Sequence, residues 1–203
     1  MDIYEFDDAL HNDFEVFCGV DEAGRGPLAG DVYASAVILP KDFRIDGIND
    51  SKKLSEKKRE LLFDIIINNA LSYKIATASV AEIDEINILN ATMLAMKRAI
   101  EGLEIKPDIA IIDGNKTPQG LIIPAQFVIK GDATSQSIAA ASILAKVARD
   151  RYMKEKATQY PNYLFEKHKG YGTKIHYEKI AEFGIIDGFH RRSFLKKVLN
   201  DKS

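Results

Sequence analysis

The chain has 203 residues, 46% hydrophobic and 29% charged, enough for one domain with a sizeable core. The lone Cys18 has no disulfide partner, the most apolar helical stretch (IAAASILA) falls far short of the ~20 residues a membrane span needs, and the first fifteen residues are acidic, unlike a signal peptide. The chain therefore reads as cytoplasmic, with no membrane attachment.

In chain order, VFCGVDE (16–22) is a buried strand, followed by a glycine-rich turn and a second strand through VYASAVIL (32–39) that Pro40 ends. A loop carries NDSKKLS (49–55), and Ser55 is a good N-cap for EKKRELLFDIIINN, whose apolar residues recur at helical spacing. LSYKIATASV (71–80) alternates as a third strand. AEIDEINILNATMLAMKRAIEGL (81–103) is one or two helices, with Leu89, Met93, Met96 and Ile100 on a core stripe. PDIAIIDG (107–114) and AQFVIKGD (125–132) are two further strands, and a long helix runs from Thr134 to about Gln159. The tail holds a loop, FEKHKGYGT, and a helix from Thr173 to about Phe183. This order predicts an α/β fold, a mixed central sheet with helices packed on it. Residues 16–160 form the core, and residues 161–203 a basic, helical C-terminal appendage.

The stretch GVDEAGRGPLAG (19–30) raises a choice between a dinucleotide loop and a metal site beside a backbone cradle. A dinucleotide fingerprint has G-x-G-x-x-G between a strand and a helix. Here the third glycine, Gly30, comes one residue late, Pro27 sits in the turn, and a strand follows. Asp21 and Glu22 end the first strand, Asp113 ends the fourth, and Asp132 follows the fifth. If those strands run in one direction, the four carboxylates converge at their carboxyl ends, where open α/β sheets place their sites. Asp21 and Glu22 share that site only if the strand's regularity breaks, which Gly24 makes cheap. Each acid also has an ordinary explanation: Asp113-Gly114 as a turn, Asp132 as a helix cap, Asp21 and Glu22 as an exposed strand end.

Clustered carboxylates repel and call for a cation. The four histidines show no zinc spacing, and oxygen-only ligands suit Mg²⁺ or Mn²⁺. Two such ions activate a water and stabilise a leaving oxygen in phosphodiester cleavage, which points to a metal-dependent nuclease or phosphotransferase. Charge distribution is compatible: residues 1–50 carry three basic and twelve acidic side chains, residues 146–197 thirteen basic and six acidic. That is either two solvated faces or an acidic pocket beside a surface that follows a phosphate backbone.

GVDEAGRGPLAG, NDSKKLS, NILNATMLAM, DGN, KGDATSQSIAAASILAKVARD, HKGYGT and HRRSF together resemble type 2 ribonuclease H (ribonuclease HII), in order, from about Val16 to Phe194. The resemblance implies a ribonuclease H-like fold and endonucleolytic cleavage of RNA in RNA–DNA hybrids. It also implies incision 5′ of single ribonucleotides in duplex DNA, leaving 3′-hydroxyl and 5′-phosphate ends. Its catalytic, metal-holding carboxylates fall on Asp21, Glu22, Asp113 and Asp132, with two divalent ions, Mn²⁺ or Mg²⁺, when substrate is bound.

The family's glycine-arginine-glycine motif falls on Gly24, Arg25 and Gly26, whose backbone is expected to read the ribose 2′-hydroxyl, the group that separates RNA from DNA. Tyr171 matches the tyrosine that packs on the following deoxyribose. Ser142 and Lys146, one helical turn apart, are read as phosphate contacts with Arg149 continuing their face, and Lys52 as a further one. His190, Arg191 and Arg192 match a family motif and either bind substrate or tie down the tail. Type 3 relatives carry lysine between the glycines, usually a glutamate as fourth acid, and an N-terminal domain; Arg25, Asp132 and the short acidic N-terminus favour type 2. The expected partners are RNA–DNA hybrid and ribonucleotide-containing duplex DNA, with no nicotinamide cofactor and a monomeric chain. A non-catalytic nucleic-acid-binding module and a nucleotide-dependent oxidoreductase are the rival classes.

Overall fold

The computed structural model describes residues 3–49 and 51–196, so Asp50 of the NDSKKLS loop and the last seven residues of the C-terminal segment lie outside it. The centre of the molecule is strand β1 (Phe17–Ala23), which is buried along nearly its whole length. On one side it pairs antiparallel with β2 (Val32–Ile38), Gly19 opposite Val37, and β2 pairs antiparallel with β3 (Ser72–Ala78). On the other side it pairs parallel with β4 (Ile109–Asp113), Cys18 opposite Ala110, and β4 pairs parallel with β5 (Ala125–Val128). The order β3-β2-β1-β4-β5 is the mixed sheet that the alternation of elements predicts.

Helices cover both faces. Helix α1 (Glu5–Leu10) precedes the sheet in a segment where the sequence suggests no element. Helix α2 (Glu56–Asn69) starts where expected, Ser55 Oγ accepting the Lys58 N–H. Helix α3 (Val80–Glu101) begins with a capping box between Ser79 and Glu82 and is interrupted at Asn87, whose φ is 68°. The Asn87 side chain then caps a second segment by accepting the Asn90 N–H at 3.1 Å. Met96 and Ile100 of the expected stripe are buried, but Leu89 and Met93 are only partly so. Ala91, Ala95 and Ala99 carry the face laid on the sheet, because small residues let the helix approach closely.

Helix α4 (Gln136–Gln159) covers the opposite face. Its IAAASILA stretch is buried all round, as an apolar helix without a polar face must be. A side chain at Gly19 would put Cβ 2.1 Å from the Ser137 carbonyl carbon, so glycine there is what lets α4 lie against β1.

Two boundaries differ from the sequence reading. Strand β5 stops at Val128 instead of running to Asp132, and α4 starts at Gln136, not Thr134. Between them the chain turns back at Lys130 (φ 57°) into a 3₁₀ turn, Gly131–Ala133. An edge strand has one ladder only, and that ladder ends at the pair Asp113–Val128. In the C-terminal segment the FEKH of the expected loop forms a short helix, α5 (Phe165–His168), ahead of α6 (Lys174–Phe183), whose N-cap is Thr173. Tyr163, Phe165 and Phe189 pack this segment onto Ala29 and Met153.

Candidate active site

Because β1, β4 and β5 are parallel, their carboxyl ends lie side by side. The ladder between β1 and β4 ends at Val20–Ile112, while the ladder to β2 continues through Ala23. Asp21 and Glu22 thus stand just past the parallel pairing and remain held on β2. The expected break in the strand comes two residues later, at Gly24 (φ 97°). Asp21 instead folds back, its Oδ1 accepting the Glu22 N–H at 2.7 Å. Asp113 Oδ1 accepts the Gly131 N–H at 2.7 Å, which holds the turn carrying Asp132 against the end of β4.

Asp21 is 4% exposed and Asp132 8%. Burial, then the charges of Glu22 and Asp113, push the Asp21 carboxyl well above the usual range; the Ser142 hydroxyl opposes the rise. Glu22 is raised by burial, against the Arg25 guanidinium 3.6 Å away, and Asp113 raises it further. Lys52, exposed, is near enough to lower it.

Ser142 is buried. Its Oγ lies 2.9 Å from Ser51 Oγ, so it faces the carboxylates and the NDSKKLS loop, not solvent. Lys146 is partly buried and donates to Asp150 Oδ1 at 2.6 Å. Arg59, 3.9 Å from Asp150, donates to the carbonyls of Ser51 and Leu54 and so fastens that loop. Sequence reasoning missed Ser51 and Arg59, since neither spacing nor residue type marks them.

The glycine turn is clasped by two distant segments. Leu28 N–H donates to Gly170 O of the HKGYGT loop, and Gly30 N–H to Phe189 O, each at 2.8 Å. A Cβ at Gly24 would lie 2.1 Å from Arg149 Nε, and one at Gly26 would lie 3.7 Å from the Tyr171 ring. Arg25, Gly26 and Tyr171 therefore form one exposed surface beside the buried acids. Arg149 does not continue a phosphate-facing row. It is 1% exposed and donates to the carbonyls of Ala29, Asp31 and Lys169, beneath the Tyr171 ring.

Comparison with known proteins decides the family: the model for ribonuclease HII matches residues 18–197. The chain belongs to the ribonuclease HII family. A ribonuclease HII of Caldicellulosiruptor saccharolyticus is 54% identical over 190 residues, covering 94% of this chain and 92% of its own. The fold agrees with the ribonuclease H2 of Pyrococcus horikoshii OT3 at a TM-score of 0.72 and 28% identity, over 88% of this chain and 93% of that one. The Mn²⁺ complex of Bst-RNase HIII shares the fold at a TM-score of 0.72 and 17% identity, over 91% of this chain but only 69% of that one. The enzyme is accordingly a hydrolase, an endonuclease of the ribonuclease H class.

Proposed function

We propose that this enzyme cleaves the RNA strand of RNA–DNA hybrids and incises duplex DNA on the 5′ side of a single embedded ribonucleotide, leaving 3′-hydroxyl and 5′-phosphate ends. The observation that carries this reading is the exposed backbone at Arg25 and Gly26, bordered by the Tyr171 ring and adjoining the buried acids. A glycine there lets a sugar reach the main chain, and the 2′-hydroxyl is what that chain would sense. Tyr171 is assigned to the deoxyribose that follows. Lys52 and Lys146 are assigned to the phosphate backbone, and Ser142, buried beside Asp21, to the phosphate that meets the acids.

Asp21, Glu22, Asp113 and Asp132 are assigned as the ligands of two divalent ions, Mg²⁺ or Mn²⁺. Among the described residues no three acidic, histidine or cysteine side chains stand as a finished metal shell. The donor chemistry nonetheless fits: the ligands are oxygens, and burial beside like charge makes the ionised forms of Asp21 and Glu22 costly until a cation arrives. When bound, such ions lower the pKa of the attacking water and stabilise the departing 3′-oxygen. The chain's part is to hold the carboxylates: Asp21 against Ser142, and Asp113 against the Gly131 N–H. Cys18 is buried, its thiol pushed up to about 12, so it is inert and suits the cytoplasm, where we place the protein.

The test is cleavage of a labelled DNA duplex with one ribonucleotide, in Mg²⁺, in Mn²⁺ and in chelator, beside an all-DNA duplex. A single metal-dependent cut 5′ of the ribonucleotide, absent from the all-DNA control, is expected. Binding without a cut under either metal would overturn the proposal.

A further inference from the structure

Arg191 is fully buried, and among the described residues no carboxylate lies in ion-pair range of it. Among the described residues its guanidinium donates only to backbone carbonyls. Nη2 reaches Gly24 O and Gly30 O, each at 2.7 Å, Nη1 reaches Arg25 O at 2.9 Å, and Nε reaches Gly30 O at 2.9 Å. Burying a cation is costly, and carbonyl dipoles compensate it only if several converge. All of them here belong to one turn, the one that bears the exposed backbone of Arg25 and Gly26.

The consequence follows from peptide geometry. Every described peptide is trans, so each carbonyl and the N–H of the next residue point in opposite directions. With the carbonyls of Gly24 and Arg25 drawn inward onto Arg191, the N–H groups of Arg25 and Gly26 are turned outward. Both residues are exposed, and neither N–H meets an acceptor among the described residues. A cation on the carbonyl also polarises the peptide and makes its N–H a stronger donor.

We propose that Arg191 is the positioning residue for sugar recognition: its fork draws the Gly24 and Arg25 carbonyls inward so that the amides of Arg25 and Gly26 project as donors toward a ribose 2′-oxygen. This rests on the reading of the turn given above and adds the residue that sets its orientation. The rest of the segment is anchored independently. Arg191 N–H donates to Leu28 O at 2.8 Å, and His190 bridges Ala29. Arg191→Lys therefore keeps the backbone anchors. It removes the fork, because an amine cannot span three carbonyls with a planar set of donors.

The test measures affinity for a DNA duplex with one ribonucleotide and for the same duplex without it, in an Asp113→Asn background and in chelator, so that cleavage does not intervene. The unaltered Arg191 protein should prefer the ribonucleotide duplex. Arg191→Lys should lose roughly ten-fold or more of that preference, since an unaimed donor no longer rewards the hydroxyl, while affinity for the all-DNA duplex stays within about two-fold. An unchanged preference overturns the inference, and so does equal weakening on both duplexes, which would make the amides phosphate contacts. Absence of preference with Arg191 intact would instead sink the reading of the turn, and this inference with it.

A second measurement needs no variant. In the natural sequence the Arg25 and Gly26 amides should exchange rapidly with solvent and shift on adding the ribonucleotide duplex but not the all-DNA one. Protected amides, or equal shifts with both duplexes, would overturn the assignment.

Discussion

The Asp7 carboxylate accepts the Ser137 backbone N–H at 2.9 Å, joining the first helix to the first turn of α4. Ser137 Oγ and Ser135 Oγ also donate to it, at 2.7 and 2.5 Å. Asp7 is 5% exposed, and an anion at a helix N-terminus meets both free N–H groups and the positive end of the dipole. Ser135 N–H in turn donates to Gly131 O, whose own N–H is held by Asp113. The acidic N-terminal segment thus supports the turn that carries Asp132.

Asp7→Ala should destabilise the fold by about 2–3 kcal/mol, because it strands a buried N–H and two hydroxyls without their acceptor. Urea denaturation reads this directly. Asp7→Asn, which keeps one acceptor oxygen, should cost less. An alanine variant within about 0.5 kcal/mol of the natural protein would show that the clasp contributes nothing.

A chain of neutral histidines predicts a pH dependence. Ile186 N–H donates to His190 Nδ1 at 2.8 Å, so His190 carries its proton on Nε2, 3.1 Å from His176 Nε2; His176 Nδ1 then donates to Tyr171 O at 3.0 Å. An added proton would set two N–H groups against each other. Burial pushes both His176 and His190 down to about 4. With folded values below the unfolded one of about 6.5, the unfolded chain binds more protons in between. Their contribution is complete above that window and is lost as pH falls through it toward 4. Asp7, Asp21 and Glu22, raised by burial, give the opposite slope, so the informative quantity is a difference. His190→Gln keeps a donor near Nε2 and removes one titrating group. Its unfolding free energy should fall less between pH 7 and 4.5 than that of the natural protein, and an equal fall would refute the histidine origin.

Much of this architecture is legible in the chain because the patterns are local. Ser55 before an amphipathic run gives α2, and the apolar strands ending in acids give β1 and β4. The positions of Asp21, Glu22 and Asp113 follow once β1 and β4 are parallel. What is not legible depends on partners far away in sequence. Nothing near Arg149 or Arg191 says that most of their donors will be spent on carbonyls more than a hundred residues earlier. The α1 clasp is hidden for the same reason, since Asp7 looks like any acid of a polar N-terminus. The early end of β5 reflects its place at the sheet's edge, which a run such as AQFVIKGD does not announce.

Gly24 and Gly26 should separate folding from recognition. Gly24 has φ 97°, and a Cβ there would strike Arg149, itself fixed on three carbonyls. Gly24→Ala should therefore destabilise the protein by about 1–3 kcal/mol or more through backbone strain and displaced packing. At Gly26 the nearest atom to a new Cβ is Tyr171 Cε1 at 3.7 Å, an ordinary contact. Gly26→Ala should melt within a degree or two of the natural protein yet cleave the single-ribonucleotide duplex far more slowly, because on the proposed reading its methyl would block the approach of the sugar. Thermal melts beside turnover on one substrate make the comparison, and a Gly26→Ala enzyme of full activity would remove the turn from the recognition surface.

Asp113→Asn should reveal the tension among the acids. Its charge raises both Asp21 and Glu22, while its Oδ1 holds the Gly131 N–H, an acceptor role that asparagine can fill. Without divalent ions the variant should be as stable as the natural protein or more so by about 1 kcal/mol, roughly 2–4 °C in Tm for a chain of this size. With Mg²⁺ or Mn²⁺ the order should reverse. The natural protein should gain stability with ion concentration as a ligand-bound state does, and the variant should gain less. Turnover should fall by at least about a hundred-fold, as expected when a group that stabilises charge at the reacting centre is removed. Melting curves across a titration of each ion, beside a cleavage assay, test these together. A variant that is stabilised by ions as strongly as the natural protein and cleaves at its rate would show that Asp113 is not a ligand.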